Sequence, residues 1–140
     1  MKKMYVIYFS STGNTAAMAK AVAEGMEAAG AAVQLEEFDA VTPAVLDEEN
    51  AFALGCSAMG DEELDDAYAE PFVAELEGKV SGKKVVLFGS YDWGDGEWMR
   101  KWEDRMTEAG ATVVETVIAN NEPDDEALGK CREAGKKLLA

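Results

Sequence analysis

Met4-Tyr5-Val6-Ile7-Tyr8-Phe9-Ser10-Ser11-Thr12-Gly13-Asn14-Thr15 is an apolar, strand-like run that passes directly into six small polar residues. A helical pattern starts just behind it, because Met18, Val22, Met26 and Ala29 recur at spacings of four, four and three. A polar turn between a strand and a helix brings backbone N–H groups, hydroxyls and the positive end of the helix dipole to one point. That combination suits a phosphate. The turn contains no Lys or Arg and lacks the Gly-Lys-Ser/Thr ending of a nucleotide-triphosphate loop. It therefore favours one terminal phosphate on a larger ligand. An ordinary capped helix start needs a single Ser, Thr or Asn, and six small polar residues in succession exceed that need.

The same alternation continues along the chain. Residues 33–37, 51–55, 85–88 and 112–119 read as further strands. Residues 14–29, 71–77, 97–109 and 125–139 read as helices, with a short helix over 43–50. Pro71 suits a helix start, Gly30 and Gly110 suit helix ends, and Gly82 and Gly89 frame the fourth strand. Near-continuous apolar strands with helical crossovers imply an α/β fold: a doubly wound five-stranded parallel sheet with helices on both faces. The 140 residues suffice for one such domain, spanning 1–140, and are too few for two ordinary ones. Ligands of such sheets lie beyond the carboxyl ends of the strands, where strand order reverses.

Composition narrows the function classes. The net charge of -15 repels nucleic acid and anionic lipid and favours basic protein partners. No run approaches the roughly 20 apolar residues of a membrane helix. Met1-Lys2-Lys3 precedes an apolar run too short for a secretory signal and without a cleavage pattern. A cytoplasmic protein is expected. The chain has no His, so it lacks the usual general base near neutral pH and the commonest metal ligand. Cys56 and Cys131 stand far apart without metal-ligand spacing and read as inert buried thiols.

Two further loops complete a candidate site. Ser57-Ala58-Met59-Gly60-Asp61-Glu62-Glu63 follows the third strand. Its Met could lie flat against a ring or tuck back into the core, and Gly60 opens conformations closed to other residues. Gly89-Ser90-Tyr91-Asp92-Trp93-Gly94-Asp95-Gly96 follows the fourth strand. Trp93 on a polar, glycine-rich loop suits a planar ligand, the alternative being a Trp packed over the sheet edge. Trp98 and Trp102, one helical turn apart, read as core-facing.

These three loops, with Asn121-Glu122-Pro123-Asp124 after the fifth strand, make the whole chain resemble a short-chain flavodoxin of the kind found in anaerobic bacteria. The strand order 2-1-3-4-5, with FMN at the switch point between strands one and three, comes from that resemblance, flavodoxin being the standard example of it. The resemblance implies a low-potential one-electron carrier with non-covalently bound FMN, acting between redox proteins as a monomer. Ser10, Ser11, Thr12, Gly13, Asn14 and Thr15 would bind the phosphate, with Ser57 adding a contact. Ala58 and Met59 would lie beside the ring and Trp93 across it. The peptide joining Gly60 and Asp61 would meet flavin N5, and Glu62 would accept from N3–H. Ser90 precedes Tyr91, Asp92, Trp93 and Gly94, whose backbone groups would meet the pyrimidine edge. Asp92 departs from the family, where Gly is common at this position. If a positive φ is required there, Asp adopts it at some cost.

Acidic residues crowd these loops: Asp61, Glu62, Glu63, Asp65 and Asp66 on the second, Asp92, Asp95 and Glu97 on the third, and Glu122, Asp124, Asp125 and Glu126 on the fourth. They are expected to disfavour an anionic reduced flavin and to form a docking rim for basic patches on redox partners. Two other readings stand beside this one. A flavin-dependent quinone reductase would need an insertion to build a substrate pocket. A phospho-receiver domain would need acids at the end of strand one and a phosphorylatable Asp at the end of strand three, where this chain has Ser10-Ser11-Thr12 and Cys56-Ser57.

Overall fold

The structure is a computed structural model and describes residues 2–60 and 62–139. Its elements are β1 (Lys2–Phe9), α1 (Asn14–Ala28), β2 (Ala31–Glu37), β3 (Ala51–Cys56), α2 (Ala69–Leu76), β4 (Lys84–Tyr91), α3 (Glu97–Glu108), β5 (Thr112–Asn120) and α4 (Asp125–Lys137). All strand pairings are parallel, in the order β2-β1-β3-β4-β5. This is the doubly wound arrangement expected from the alternation, with the reversal of strand order falling beside β1.

Alternation along each strand divides the core in two. Met4, Val6, Ala53, Val86 and Phe88 face α1 and α4, where Met18, Val22, Met26, Cys131 and Leu138 complete one buried cluster. Tyr5, Ile7, Phe52, Leu54 and Leu87 face the other way, toward Phe72, Leu76, Trp98, Trp102 and Met106 of α2 and α3. Trp98 and Trp102 are thus core residues, as their helical spacing predicts. On the first face, α1 and α4 approach at backbone distance. A Cβ on Gly25 would strike the Arg132 carbonyl, and one on Gly135 would strike the Val22 carbonyl.

Most element ends shift by a residue or two from expectation, and four of the differences have an evident local reason. The helix expected over 43–50 is only a 3₁₀ turn, Pro43–Leu46. Lys83 holds that turn from outside, its Nζ donating to the Leu46 carbonyl at 2.6 Å and the Asp47 carbonyl at 3.2 Å. Helix α2 starts at Ala69, before Pro71, because the Asp65 carboxylate accepts from the Tyr68 and Ala69 N–H groups at 2.7 and 3.0 Å. Pro71 still lies in the first turn, where no helical N–H is required. Strand β2 begins two residues early, pairing Ala31 and Ala32 with Lys2 and Lys3. Strand β4 runs on to Tyr91, and Gly89 does not end it. A Cβ on Gly89 would collide with the Cys56 carbonyl, so this glycine permits close passage beside β3. Ser90 and Tyr91 then pair with Ala119 and Asn120.

The carboxyl ends of β1, β3 and β4 consequently lie side by side at one edge. Replacing Gly135 by Ala should lower stability by about 1–3 kcal/mol through overpacking. Gly129→Ala, on the same helix with nothing within 4 Å of the added carbon, should raise it by about 0.5–1 kcal/mol. Urea midpoints at unchanged slope measure both.

Candidate functional site

Where the strand ladders run out, hydroxyls replace them. Thr15, on the first turn of α1, is fully buried. Its Oγ1 accepts from the Ser90 N–H at 3.1 Å and lies 2.9 Å from Ser57 Oγ and 3.3 Å from Ser90 Oγ. Ser57 Oγ in turn accepts from the Ser11 N–H at 3.3 Å. One threonine thus joins the start of α1 to the ends of β3 and β4. Backbone bonds complete the floor: Ser57 N–H to the Phe9 carbonyl at 3.2 Å, and Ala58 N–H to the Ser90 carbonyl at 3.0 Å. The Thr15 side chain faces inward, so what it offers a ligand is its N–H.

Above this floor the turn over residues 10–15 exposes donors. Ser10 Oγ accepts from the N–H groups of Gly13 and Ala16 at 3.0 and 3.1 Å. Among the described residues, no hydrogen bond engages the N–H of Thr12, Asn14 or Thr15. Gly13 makes this geometry possible by adopting φ +95°, and open space surrounds it. The other helices at this edge receive carboxylates. Asp65 serves α2 and Asp124 serves α4, accepting from the Ala127 N–H at 2.8 Å. Glu62 serves α3, accepting from the N–H groups of Gly96 and Trp98 at 3.2 and 3.3 Å. Helix α1 has no acid in its first turn, and its N-cap residue Gly13 has no side chain, the Ser10 hydroxyl serving the Ala16 N–H instead. A cleft of about 130 Å³ opens there, lined by Ser11, Thr12, Asn14, Ser57, Ala58, Ser90, Tyr91, Asp92 and Asn121.

Two projecting loops flank the cleft. Met59 is half-buried and pairs with Glu63 through two 2.8 Å backbone bonds, closing a tight loop. Gly60 takes φ +52° within it with nothing within 4 Å of a Cβ, and Asp61 lies outside the described residues. On the far side Trp93 is 58% exposed, so it is not packed over the sheet edge. Gly94 is also exposed. Asp92 is not among the residues of positive φ, so the strain expected there is absent. Its carboxylate instead accepts from the Trp93 N–H at 2.8 Å. Tyr91 is half-buried and held by its carbonyl, which accepts from the Asn121 N–H at 2.6 Å.

A flavodoxin family model matches residues 6–135. The chain is 50% identical over 136 residues to a flavodoxin of Clostridium beijerinckii, covering 96% of this chain and 98% of that one. It is 45% identical over 131 residues to a flavodoxin of Megasphaera elsdenii, covering 94% of each. The solution structure of two-electron reduced Megasphaera elsdenii flavodoxin superposes with a TM-score of 0.89 at 44% identity, covering 96% of this chain and 97% of that one. The chain belongs to the flavodoxin family. Flavodoxins are electron carriers that use FMN and are not enzymes, and this chain is one of them. Neither the quinone reductase nor the receiver domain is favoured.

The donor set fits that cofactor. A phosphate dianion would find a helix start free of carboxylates, with three N–H groups unpartnered among the described residues and several hydroxyls. The flavodoxin floor also contains residues that the sequence pattern did not single out for this purpose. Asp65 and Glu62 read as members of an acidic rim, yet they are 7% and 5% exposed and serve helix starts. Spacing was the available signal: Asp65 lies four residues before Ala69 and could have been read as a cap. Asn120 was not anticipated, and its Nδ2 donates to the Tyr91 and Asp92 carbonyls at 3.3 and 3.4 Å. Burial pushes the thiols of Cys56 and Cys131 up to about 12, so both are inert at neutral pH.

Thr15→Val preserves shape, removes the shared oxygen and strands the buried Ser90 N–H. It should cost about 1–3 kcal/mol in the ligand-free flavodoxin, whereas Thr15→Ser should cost less. Chemical denaturation of the two variants decides this.

Proposed function

We propose that this flavodoxin is a low-potential carrier that holds FMN at the carboxyl ends of β1, β3 and β4 and passes single electrons between redox proteins. The observation that carries the reading is the carboxylate-free start of α1, where the N–H groups of Thr12, Asn14 and Thr15 have no partner among the described residues and lie beside the cleft. Residues 10–15 hold the phosphate through these N–H groups and through the hydroxyls of Ser10, Ser11 and Thr12. Ser57 supports them from below. Met59 and Trp93 supply apolar walls for the ring, with Ala58 beside it. Glu62 and the backbone from Tyr91 to Gly94 hydrogen-bond its pyrimidine edge. When bound, FMN supplies the one-electron chemistry. Gly60, at φ +52° with nothing within 4 Å of an added Cβ, has room for a turn of its backbone toward the ring.

Phosphate recognition separates FMN from riboflavin, which has the same ring. Titrating the ligand-free protein with each should give at least about tenfold tighter binding of FMN, the worth of one or two charge-assisted hydrogen bonds. Equal affinities would remove residues 10–15 as the phosphate site.

The acids that remain exposed set the electrostatics. Glu63 and Asp66 stand on the second loop, Asp92, Asp95 and Glu97 on the third, and Glu122, Asp124, Asp125 and Glu126 on the fourth. Together they oppose additional negative charge on the cofactor and so lower the potential of its second reduction. Each acts across a screening length of about 8 Å at physiological salt, so the effect is a sum of small terms. Lys2, Lys3, Lys79, Lys83 and Lys84 lie toward the opposite end of the sheet, at strand starts and the turn before β4. A basic patch on a partner is therefore drawn to the cofactor end. The protein works as a cytoplasmic monomer formed by one domain over residues 1–140, without nucleic-acid or membrane partners. No helix among the described residues is long and apolar enough to cross a membrane. Electron transfer to a basic redox protein should slow steeply as ionic strength rises. Stopped-flow rates that do not change with salt would exclude steering by this rim.

A further inference from the structure

Glu62 combines three unusual properties. It is an acid only 5% exposed, it is a non-glycine residue at φ +56°, and its two oxygens are bound on another loop. A left-handed backbone is unfavourable for an L side chain, so its persistence indicates that surrounding contacts impose it. The contacts are identifiable. Glu62 sits inside the loop closed by Met59 and Glu63. Its Oε1 accepts from the Gly96 N–H at 3.2 Å and its Oε2 from the Trp98 N–H at 3.3 Å. Gly94 leaves the space that the carboxylate fills, since a Cβ there would collide with Oε1. Among the described residues, no other hydrogen bond links residues 57–66 to residues 92–98.

We propose that Glu62 is a positioning residue that latches the Met59 loop to the Trp93 loop, so that the two ring walls form one preorganised unit before any ligand arrives. The inference rests on the proposed site for its purpose, and its mechanism lies in the protein alone. Trp98 is fixed independently from below, its Nε1–H donating to the Cys56 carbonyl at 3.1 Å and its ring 5.5 Å from that of Tyr91. The start of α3 is therefore an anchored post, and Glu62 ties the Met59 loop to it. Between the post and Asp92, Glu62 ties the chain across to the Met59 loop, while the bonds from Arg100 to the Asp95 carbonyl and carboxylate at 3.1 and 3.0 Å and from the Trp93 N–H to Asp92 stay within the loop and α3. A carboxylate has about four acceptor positions. Two are used by α3, so the latch stays closed while Glu62 accepts from a ring N–H. A neutral amide cannot serve in the same way, because its NH₂ would face one of the two backbone donors.

The test uses the ligand-free full chain. In Glu62→Gln, the amides of Gly96 and Trp98 should exchange with solvent about tenfold faster, while Met106 at the far end of α3 and Leu76 at the end of α2 keep their rates. The ¹⁹F resonance of 5-fluorotryptophan at position 93 should shift and narrow as the loop gains motion. Gly94→Ala displaces the same carboxylate without altering Glu62, and should give the same local signature. The double variant should be no worse than the more severe single one. Unchanged exchange at Gly96 and Trp98 in both variants overturns the latch. So does a uniform increase that includes Met106 and Leu76, which would mean a general loss of stability. Failure of the wild type to prefer FMN over riboflavin would defeat the proposed function and leave these exchange rates to decide the latch separately.

Discussion

The oxygen of Thr15 is the constraint on which the site depends. Parallel strands are held together by their ladders, and the last β3–β4 pair is Gly55 with Phe88. Beyond it the chains must separate to give loops. Thr15 lies where they would separate and accepts the N–H of Ser90 while touching the hydroxyls of Ser57 and Ser90. It belongs to α1, so the same contacts fix the start of that helix against the sheet. The donors of residues 10–15 can be aimed only because their base is fixed in this way. A buried hydroxyl is unfavourable without partners. Here it has several, and the cluster is shielded from water that would weaken it.

Charge is distributed around that fixed point in a consistent way. The chain is strongly acidic, and a helix start that is to attract an anion must be kept free of carboxylates, Glu24 and Glu27 of α1 lying in its later turns. Asp65, Glu62 and Asp124 occupy the starts of α2, α3 and α4. The start of α1 has none. Residues 10–15 carry no lysine or arginine, so this turn offers an anion dipoles and hydroxyls without adding a positive charge.

Much of this was legible in the sequence, and the exceptions share one cause. Apolar periodicity revealed five strands and the core helices, including inward-facing Trp98 and Trp102, because periodicity reports burial directly. The composition of residues 10–15 marked a polar turn into a helix, and among the described residues that turn leaves three N–H groups without partners at the start of α1. Side-chain direction was not legible. Nothing in the pattern distinguishes Thr15, which faces the core, from Thr12, which faces solvent. Likewise Glu62 and Asp65 look identical to Glu63 and Asp66 in a run of acids, yet the first pair is buried on backbone N–H groups and the second is exposed. Gly89 misled for a related reason. A glycine can mark a turn or a close approach, and only the position of the Cys56 carbonyl separates the two.

The openness of the site explains why this fold serves a carrier. The cleft of about 130 Å³ falls well short of the roughly 300 Å³ at which pockets begin to enclose drug-sized ligands. A cleft of that size encloses only part of a cofactor as large as FMN and leaves the rest to the open surface beside it. Trp93, more than half exposed, makes one wall a surface feature. An enzyme acting on a second substrate would need that region closed, to exclude water and orient the reactant. A carrier needs the opposite: a redox group near the surface, where a partner can approach its edge. Beyond the buried Thr15 cluster the chain is exposed at Gly60, Glu63, Trp93 and Gly94, so this edge of the sheet is open to an approaching protein.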